Sequence, residues 1–160
     1  MTKRDIHQRF IVQLTAELES ITAVARKSFA TATSEEHHAE HKYDTFKLEA
    51  SFLARGHAKR VEDLASALES LRILPMRRLS QSSPIQLGAL VGVKSRNGEI
   101  RTLLFGSAAG GETISVNQDE VTIVTSQSPL GQAVLGKTAG NTFSLKIGAA
   151  TQTFEIISVE

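Results

Sequence analysis

Apolar residues recur at alternating steps of three and four residues along the first half of the chain. This spacing predicts two long amphipathic helices that pack together along one seam. Helix-breaking residues are almost absent from this half, since only Gly56 of the 11 glycines precedes residue 88 and the first proline is Pro75. The predicted seam positions are Ile11, Leu14, Leu18, Ile21 and Ala25 in the first helix, and Tyr43, Phe46, Ala50, Leu53, His57, Val61, Leu64, Leu68 and Leu71 in the second.

The seam of the second helix changes phase after His57, because the apolar positions resume one residue late at Val61. Such a change predicts a stutter, which local over- or underwinding absorbs. Between the two apolar sets, Thr33 and Glu36 have the T-x-x-E spacing of a capping box, which marks a helix start. The second helix is therefore predicted to begin at about residue 33.

An antiparallel hairpin is the simplest arrangement of these two helices. Folding the chain about residues 32–33 brings Ile21 level with Tyr43 and Phe46, so that the two apolar sets face each other. The prediction is an antiparallel two-helix coiled coil over residues 1–74, with its tip near residues 31–36.

Strand-like sequence replaces helical sequence after residue 74. Residues 75–85 contain two prolines and three serines, which predicts a linker. Residues 86–160 contain β-branched segments, a hairpin turn at 96–98, and one short helix with Ser128 as its N-cap and Gly136 at its end. The chain is therefore predicted to be of the α+β class, with about five strands, at 87–94, 100–105, 121–124, 142–147 and 153–159.

Composition excludes several classes of function. The 160 residues include 18 Lys and Arg against 17 Asp and Glu, a balance that argues against general binding of nucleic acid through phosphate contacts. The absence of cysteine excludes thiolate nucleophiles and Cys-based metal sites. No apolar run approaches the roughly 20 residues of a membrane helix, and the first residues lack the features of a secretory signal. We expect a cytoplasmic protein without a membrane partner.

Residues 128–141 read SPLGQAVLGKTAGN. Together with the predicted coiled coil and a compact FKBP-like globular domain at 86–160, this segment resembles the bacterial Gre family of transcription elongation factors over essentially the whole chain. The resemblance implies a factor that is not itself an enzyme, that binds RNA polymerase, and that meets nucleic acid only within the transcription complex. It further implies that Ser128, Pro129 and Leu130 dock at the rim of the polymerase secondary channel, while the coiled-coil tip reaches towards the active site.

In the cleavage-stimulating members of this family, acidic tip residues help the polymerase to hold a second magnesium ion. Their tip reads Asp-x-Ser-Glu-Asn, and the best match here begins at Ala32, which stands in the position of the Asp. The resemblance therefore implies that any magnesium is shared with the polymerase through Glu35 and Glu36, that the chain alone binds no cofactor, and that Ala32 weakens cleavage stimulation. The predicted tip residues are Ser34, Glu35, Glu36, Glu40 and Asp44.

Helix stability alone also explains each of these acidic residues. Glu35 would interact favourably with the dipole of a helix start, and Glu36 completes the capping box. Glu40 and Asp44 are placed to pair with basic residues across the hairpin, although exposed pairs contribute little to stability. The alternative function is accordingly a coiled-coil adaptor that binds another protein and has no role at the polymerase active site.

Overall fold

The structure, a computed structural model, describes residues 2–33, 42–117 and 119–160. It divides into two compact units, which we call the sheet unit (Met1–Ile11 with Glu69–Glu160) and the hairpin unit (Val12–Leu68). The ends of both long helices thus group with the sheet, and the division falls elsewhere than the predicted boundaries at 74 and 86. None of the described helices has the length and apolar character needed to cross a membrane.

The described elements confirm the predicted α+β class. Two long helices precede a six-stranded mixed sheet of strand order β3-β4-β2-β1-β6-β5, in which only β2 and β4 run parallel. The elements are α1 (Lys3–Thr33), α2 (Lys42–Arg72), β1 (Leu90–Ser95), β2 (Ile100–Gly106), β3 (Thr113–Val116), β4 (Asp119–Thr125), α3 (Pro129–Val134), β5 (Thr142–Ile147) and β6 (Ala150–Val159).

Five strands and the short helix lie where the sequence predicts them, and the sixth strand, β3, was missed. The β3 strand has four residues, too few for a clear alternating pattern. The hairpin turn before β2 is confirmed, since Gly98 has a φ of 89° and its N–H donates to the Ser95 carbonyl at 3.0 Å.

Both faces of the sheet carry buried side chains. One face holds a core that includes Val91, Leu103, Phe105 and Ile156, and α3 packs there through Val134. Side chains of the same strands that point to the other face of the sheet, such as Leu104, are equally buried. The ends of α1 and α2 contribute buried Ile6, Phe10 and Leu71 to the sheet unit, and Leu74, just after α2, is buried there as well. We infer that these residues cover the second face.

Residues 75–85 lack helix and strand, as predicted, but they pack against the sheet rather than forming a free linker. Ile85 is fully buried in the core, and Leu79 packs against the same cluster. The Ile85 N–H donates to the Lys137 carbonyl at 2.8 Å, and the Gly136 N–H donates to the Ile85 carbonyl at 2.9 Å. This segment is therefore part of the sheet unit.

Helices α1 and α2 are antiparallel, but their register differs from the predicted one. Glu17 of α1 pairs with Arg60 of α2 at 2.6 Å, whereas His7 contacts the Leu71 carbonyl at 2.7 Å, so numbers fall along α2 as they rise along α1. One turn beyond Glu17, Ile21 is consequently level with residue 56 and not with Tyr43 and Phe46. Folding about residues 32–33 is wrong, because α1 continues through Thr33.

The predicted stutter is also wrong within the described part of α2. Ala54 is 2% exposed, whereas the predicted seam residue Leu53 is 60% exposed. With Ala54 in place of Leu53, the steps to His57, Val61 and onward to Leu71 alternate between three and four without interruption. The small alanine occupies the seam, and the apolar leucine beside it faces solvent.

Candidate functional site

Most predicted tip residues lie outside the part of the chain that the structure describes. These are Ser34, Glu35, Glu36 and Glu40; Asp44 belongs to α2, which begins at Lys42. Thr33 is the last residue of α1, so its predicted role as the N-cap of the second helix is wrong. A role of Glu35 and Glu36 in sharing magnesium stays a prediction, as does the effect of Ala32.

The predicted docking residues lie at the start of α3, where Ser128 is engaged in the local fold. Its backbone is extended, at φ −83° and ψ 149°, and its Oγ accepts a hydrogen bond from the Gly131 N–H at 3.0 Å. The same hydroxyl donates to the Thr125 carbonyl at 2.9 Å. Ser128 is therefore an N-cap with Pro129 directly after it, as predicted, and its hydroxyl already has two hydrogen-bond partners.

Gly131 allows α3 to pack closely against the end of β4. A Cβ at this position would lie 1.9 Å from the Thr125 carbonyl oxygen, a distance that no side chain tolerates. Glycine is thus required here by close approach of two backbone segments. The consequence is a short helix whose position relative to β4 is fixed by backbone contacts.

The exposed side of α3 consists of Pro129, Gln132 and Leu135, and we call these three residues the α3 surface. All three are exposed, Leu135 to 47%. Leu130, by contrast, packs against the core, and Val134 is fully buried. Of the three predicted docking residues, the structure therefore presents only Pro129 openly to a partner.

The structure adds Gln132 and Leu135 to the candidate surface. The predicted docking residues ended at Leu130, although the i, i+3 spacing of Pro129 and Gln132 indicates that both lie on one side of a helix. Leu135 carried no such signal, because an apolar residue beside Val134 is equally well explained as core. Only the structure shows that Leu135 is exposed, because it lies at the C-cap of α3, just after the last helical residue.

Parallel strands β2 and β4 end side by side next to this surface. Gly106 of β2 is in register with Thr125 of β4, and a Cβ on Gly110, in the loop after β2, would lie 3.2 Å from the Thr125 side chain. The loop after β2 therefore lies against the end of β4. The β1–β2 turn lies at the opposite end of β2, a six-residue step or about 20 Å away.

Residues 126–135 contain no ionisable side chain. The α3 surface accordingly offers apolar and neutral polar contacts. Among the described residues, no group of three or more His, Asp or Glu side chains is placed to hold a metal ion.

Comparison with known proteins bears on the resemblance inferred from residues 128–141. No family model matches the chain. The chain is 25% identical over 160 residues to transcription elongation factor GreA of Rhodospirillum rubrum, and the alignment covers 93% of this chain and 92% of that protein. The resemblance to the Gre family is confirmed. The similarity to GreA includes both the helical and the sheet parts of the chain.

Solved structures of Gre-like proteins are also similar. One is the transcription factor Gfh1, at 20% identity and a TM-score of 0.43, covering 98% of this chain and 92% of that one. Another is GreA factor homolog 1 of Thermus thermophilus, at 17% identity and a TM-score of 0.39, covering 98% and 93%. Because both TM-scores are below 0.5, the fold described above rests on this chain's own elements.

Proposed function

We propose that this chain is a Gre-like factor that binds RNA polymerase at its secondary channel. The sheet unit docks at the channel rim through the α3 surface, and the tip between α1 and α2 enters the channel. The observation that carries the proposal is the similarity to GreA over 93% of the chain. It is supported by the way in which residues 128–141 fold, with a capped helix start exposed at one end of the sheet.

The dimensions of the long helices suit this role. Each has 31 residues, which corresponds to about 46 Å at 1.5 Å per residue. A two-helix hairpin of this length buries one seam only, so it gains little stability from its extension. We propose that the extension exists to bring the tip residues to the polymerase active site.

We propose further that the factor modulates elongation or initiation and stimulates transcript cleavage only weakly. The physical reason is the loss of one of two carboxylates if Ala32 takes the position of the acidic residue, because magnesium binds through carboxylate oxygens. Any magnesium would be shared with the polymerase through Glu35 and Glu36 and would not be held by this chain alone.

The docking mode is tested by retention of purified protein on immobilised RNA polymerase. Leu135→Glu places a charge on the α3 surface, and Ile100→Glu makes the same kind of change at an aliphatic residue that is 60% exposed at the opposite end of β2. We expect Leu135→Glu to weaken retention at least tenfold and Ile100→Glu to leave it unchanged. Equal retention of both variants would contradict docking through α3.

Single substitutions are preferable to changing Ser128, Pro129 and Leu130 together. Removal of the Ser128 hydroxyl costs the helix its cap, and truncation of Leu130 disturbs the core, so a triple variant would confuse loss of docking with loss of folding. If the wild-type protein itself is not retained by the polymerase, the coiled-coil adaptor becomes the better assignment.

The role of the tip is tested by transcript cleavage in a purified, backtracked elongation complex with magnesium. We expect little cleavage with the wild type and Glu35→Ala, more with Ala32→Asp, and competition between the wild type and an active cleavage factor. Efficient wild-type cleavage that Glu35→Ala abolishes would contradict the proposed modulating role, because it would show that the tip recruits metal despite Ala32.

A further inference from the structure

A groove in the sheet unit, remote in sequence from the α3 surface, collects basic side chains. It has a volume of about 480 Å³ and lies between the start of α1, residues 76–79 and the end of β6. This volume is within the usual range for small-molecule sites, roughly 300–1,000 Å³. Its lining includes Lys3, Arg4 and Arg78 as basic residues, Glu160 as the acidic residue, and Met76 and Leu79 as apolar wall.

Lys3 fixes the base of this groove. Its Nζ donates to the Arg77 carbonyl at 2.5 Å and to the Glu160 carbonyl at 2.7 Å, and so joins α1 to the segment after α2 and to the end of β6. Partial burial lowers the pKa of Lys3, and the negative charge of Glu160 opposes that effect. The ammonium group is therefore bound by two main-chain oxygens and lies close to the negative charge of Glu160.

Arg4 and Arg78 are exposed on the same groove. In the described part of the chain, neither guanidinium forms an ion pair or a side-chain hydrogen bond, in contrast to Arg60 and Arg101, which pair with Glu17 and Glu99. Guanidinium groups bind phosphate oxygens in a bidentate manner, and several cations in one concave site reinforce each other. The free donors of both arginines suit a phosphorylated ligand.

We propose that this groove binds the phosphate groups of a small phosphorylated molecule, with Arg4 and Arg78 as the phosphate contacts. The apolar wall of Met76 and Leu79 would contact the remainder of the molecule, such as a nucleoside. Lys3 supplies positive charge at the base and keeps the three chain segments together.

The test is isothermal titration calorimetry of the full chain with sodium pyrophosphate and, separately, with ADP, which carries the same two phosphates and adds a nucleoside, at low ionic strength. The double variant R4Q/R78Q removes both proposed contacts, and R96Q/R101Q removes two exposed arginines at the β1–β2 turn as a control of equal charge. We expect R4Q/R78Q to raise the Kd at least tenfold and R96Q/R101Q to raise it less than twofold. Circular dichroism checks that both variants remain folded.

The possible outcomes test phosphate binding by the arginines separately from contact of the ligand with the apolar wall. Absence of binding by both probes at millimolar concentration would overturn it, as would equal weakening in the two variants, which would indicate general electrostatic attraction. Tighter binding of ADP than of pyrophosphate would support contact with Met76 and Leu79, and equal affinity would overturn that contact. Bound ligand should also raise the melting temperature in a concentration-dependent way in the wild type and not in R4Q/R78Q.

Discussion

The sheet unit and the hairpin unit bury their apolar residues to very different extents. In the sheet unit, central strands are covered on both faces and residues such as Leu104 and Ile123 are fully buried. In the hairpin unit, one seam is buried while Val24, Phe52 and Leu53 are exposed. The sheet unit can therefore derive its stability from a core, whereas the hairpin unit depends on the seam and on helix propensity.

The largest expected effect is a matched pair of leucine truncations, one in each unit. Leu104→Ala removes a side chain that is 0% exposed, and we expect it to lower the free energy of unfolding by about 2–5 kcal/mol. Leu53→Ala removes one that is 60% exposed, and we expect a change within about 0.5 kcal/mol. Urea denaturation of the full chain measures both. Similar losses in the two variants would mean that Leu53 is covered in solution.

A second pair compares the same change, glycine to alanine, in the two units. Gly131→Ala places a methyl group against the Thr125 carbonyl, and we expect it to cost about 1–3 kcal/mol through overpacking. Gly56→Ala lies in α2, where the new Cβ meets nothing within 4 Å beyond the adjoining backbone of its own helix, and we expect it to stabilise by about 0.5–1 kcal/mol through helix propensity. Thermal denaturation followed by circular dichroism should therefore show shifts of opposite sign.

A smaller effect is expected from the cap of α3. Ser128→Ala removes the acceptor of the Gly131 N–H, and we expect a loss of about 1 kcal/mol. Ser126→Ala makes the same change at an exposed serine in the loop before the cap, and as the matched control it should be nearly neutral. The measurement is the urea midpoint of each variant; a neutral Ser128→Ala would show that the position of α3 is set by the Gly131 contact and not by its cap.

The two units also differ in which of their features could be predicted from the sequence. Strand boundaries, the Ser128 cap and the Gly98 turn follow from local sequence signals, because glycine, proline and β-branched residues act within a few positions of themselves. The register of the hairpin depends instead on which residues face each other across the seam. Ala54 and Leu53 are both apolar and adjacent, so periodicity alone selected the larger residue for the seam. The predicted fold of the chain at 32–33 rested on the capping-box spacing of Thr33 and Glu36, whereas α1 continues through Thr33.

The candidate surface was predictable only in part for a related reason. The motif at 128–141 located the candidate segment, but the sequence did not show that Ser128 and Gly131 hold the helix in place or that Leu135 is exposed. The basic groove was not anticipated, because Lys3, Arg78 and Glu160 are far apart in the sequence and meet only through the fold.

The smallest expected effect concerns the ion pair that reveals the register of the hairpin. Glu17 and Arg60 lie 2.6 Å apart but are 36% and 50% exposed, so water and salt screen their attraction. We expect a double-mutant cycle with Glu17→Gln and Arg60→Gln to give a coupling of about 0.2–1 kcal/mol that decreases as sodium chloride is raised. A cycle with Glu17→Gln and Lys59→Gln, at the residue before Arg60, should show no coupling. Coupling to Lys59 instead of Arg60 would mean that α2 is rotated, and with it the assignment of Ala54 to the seam would fail.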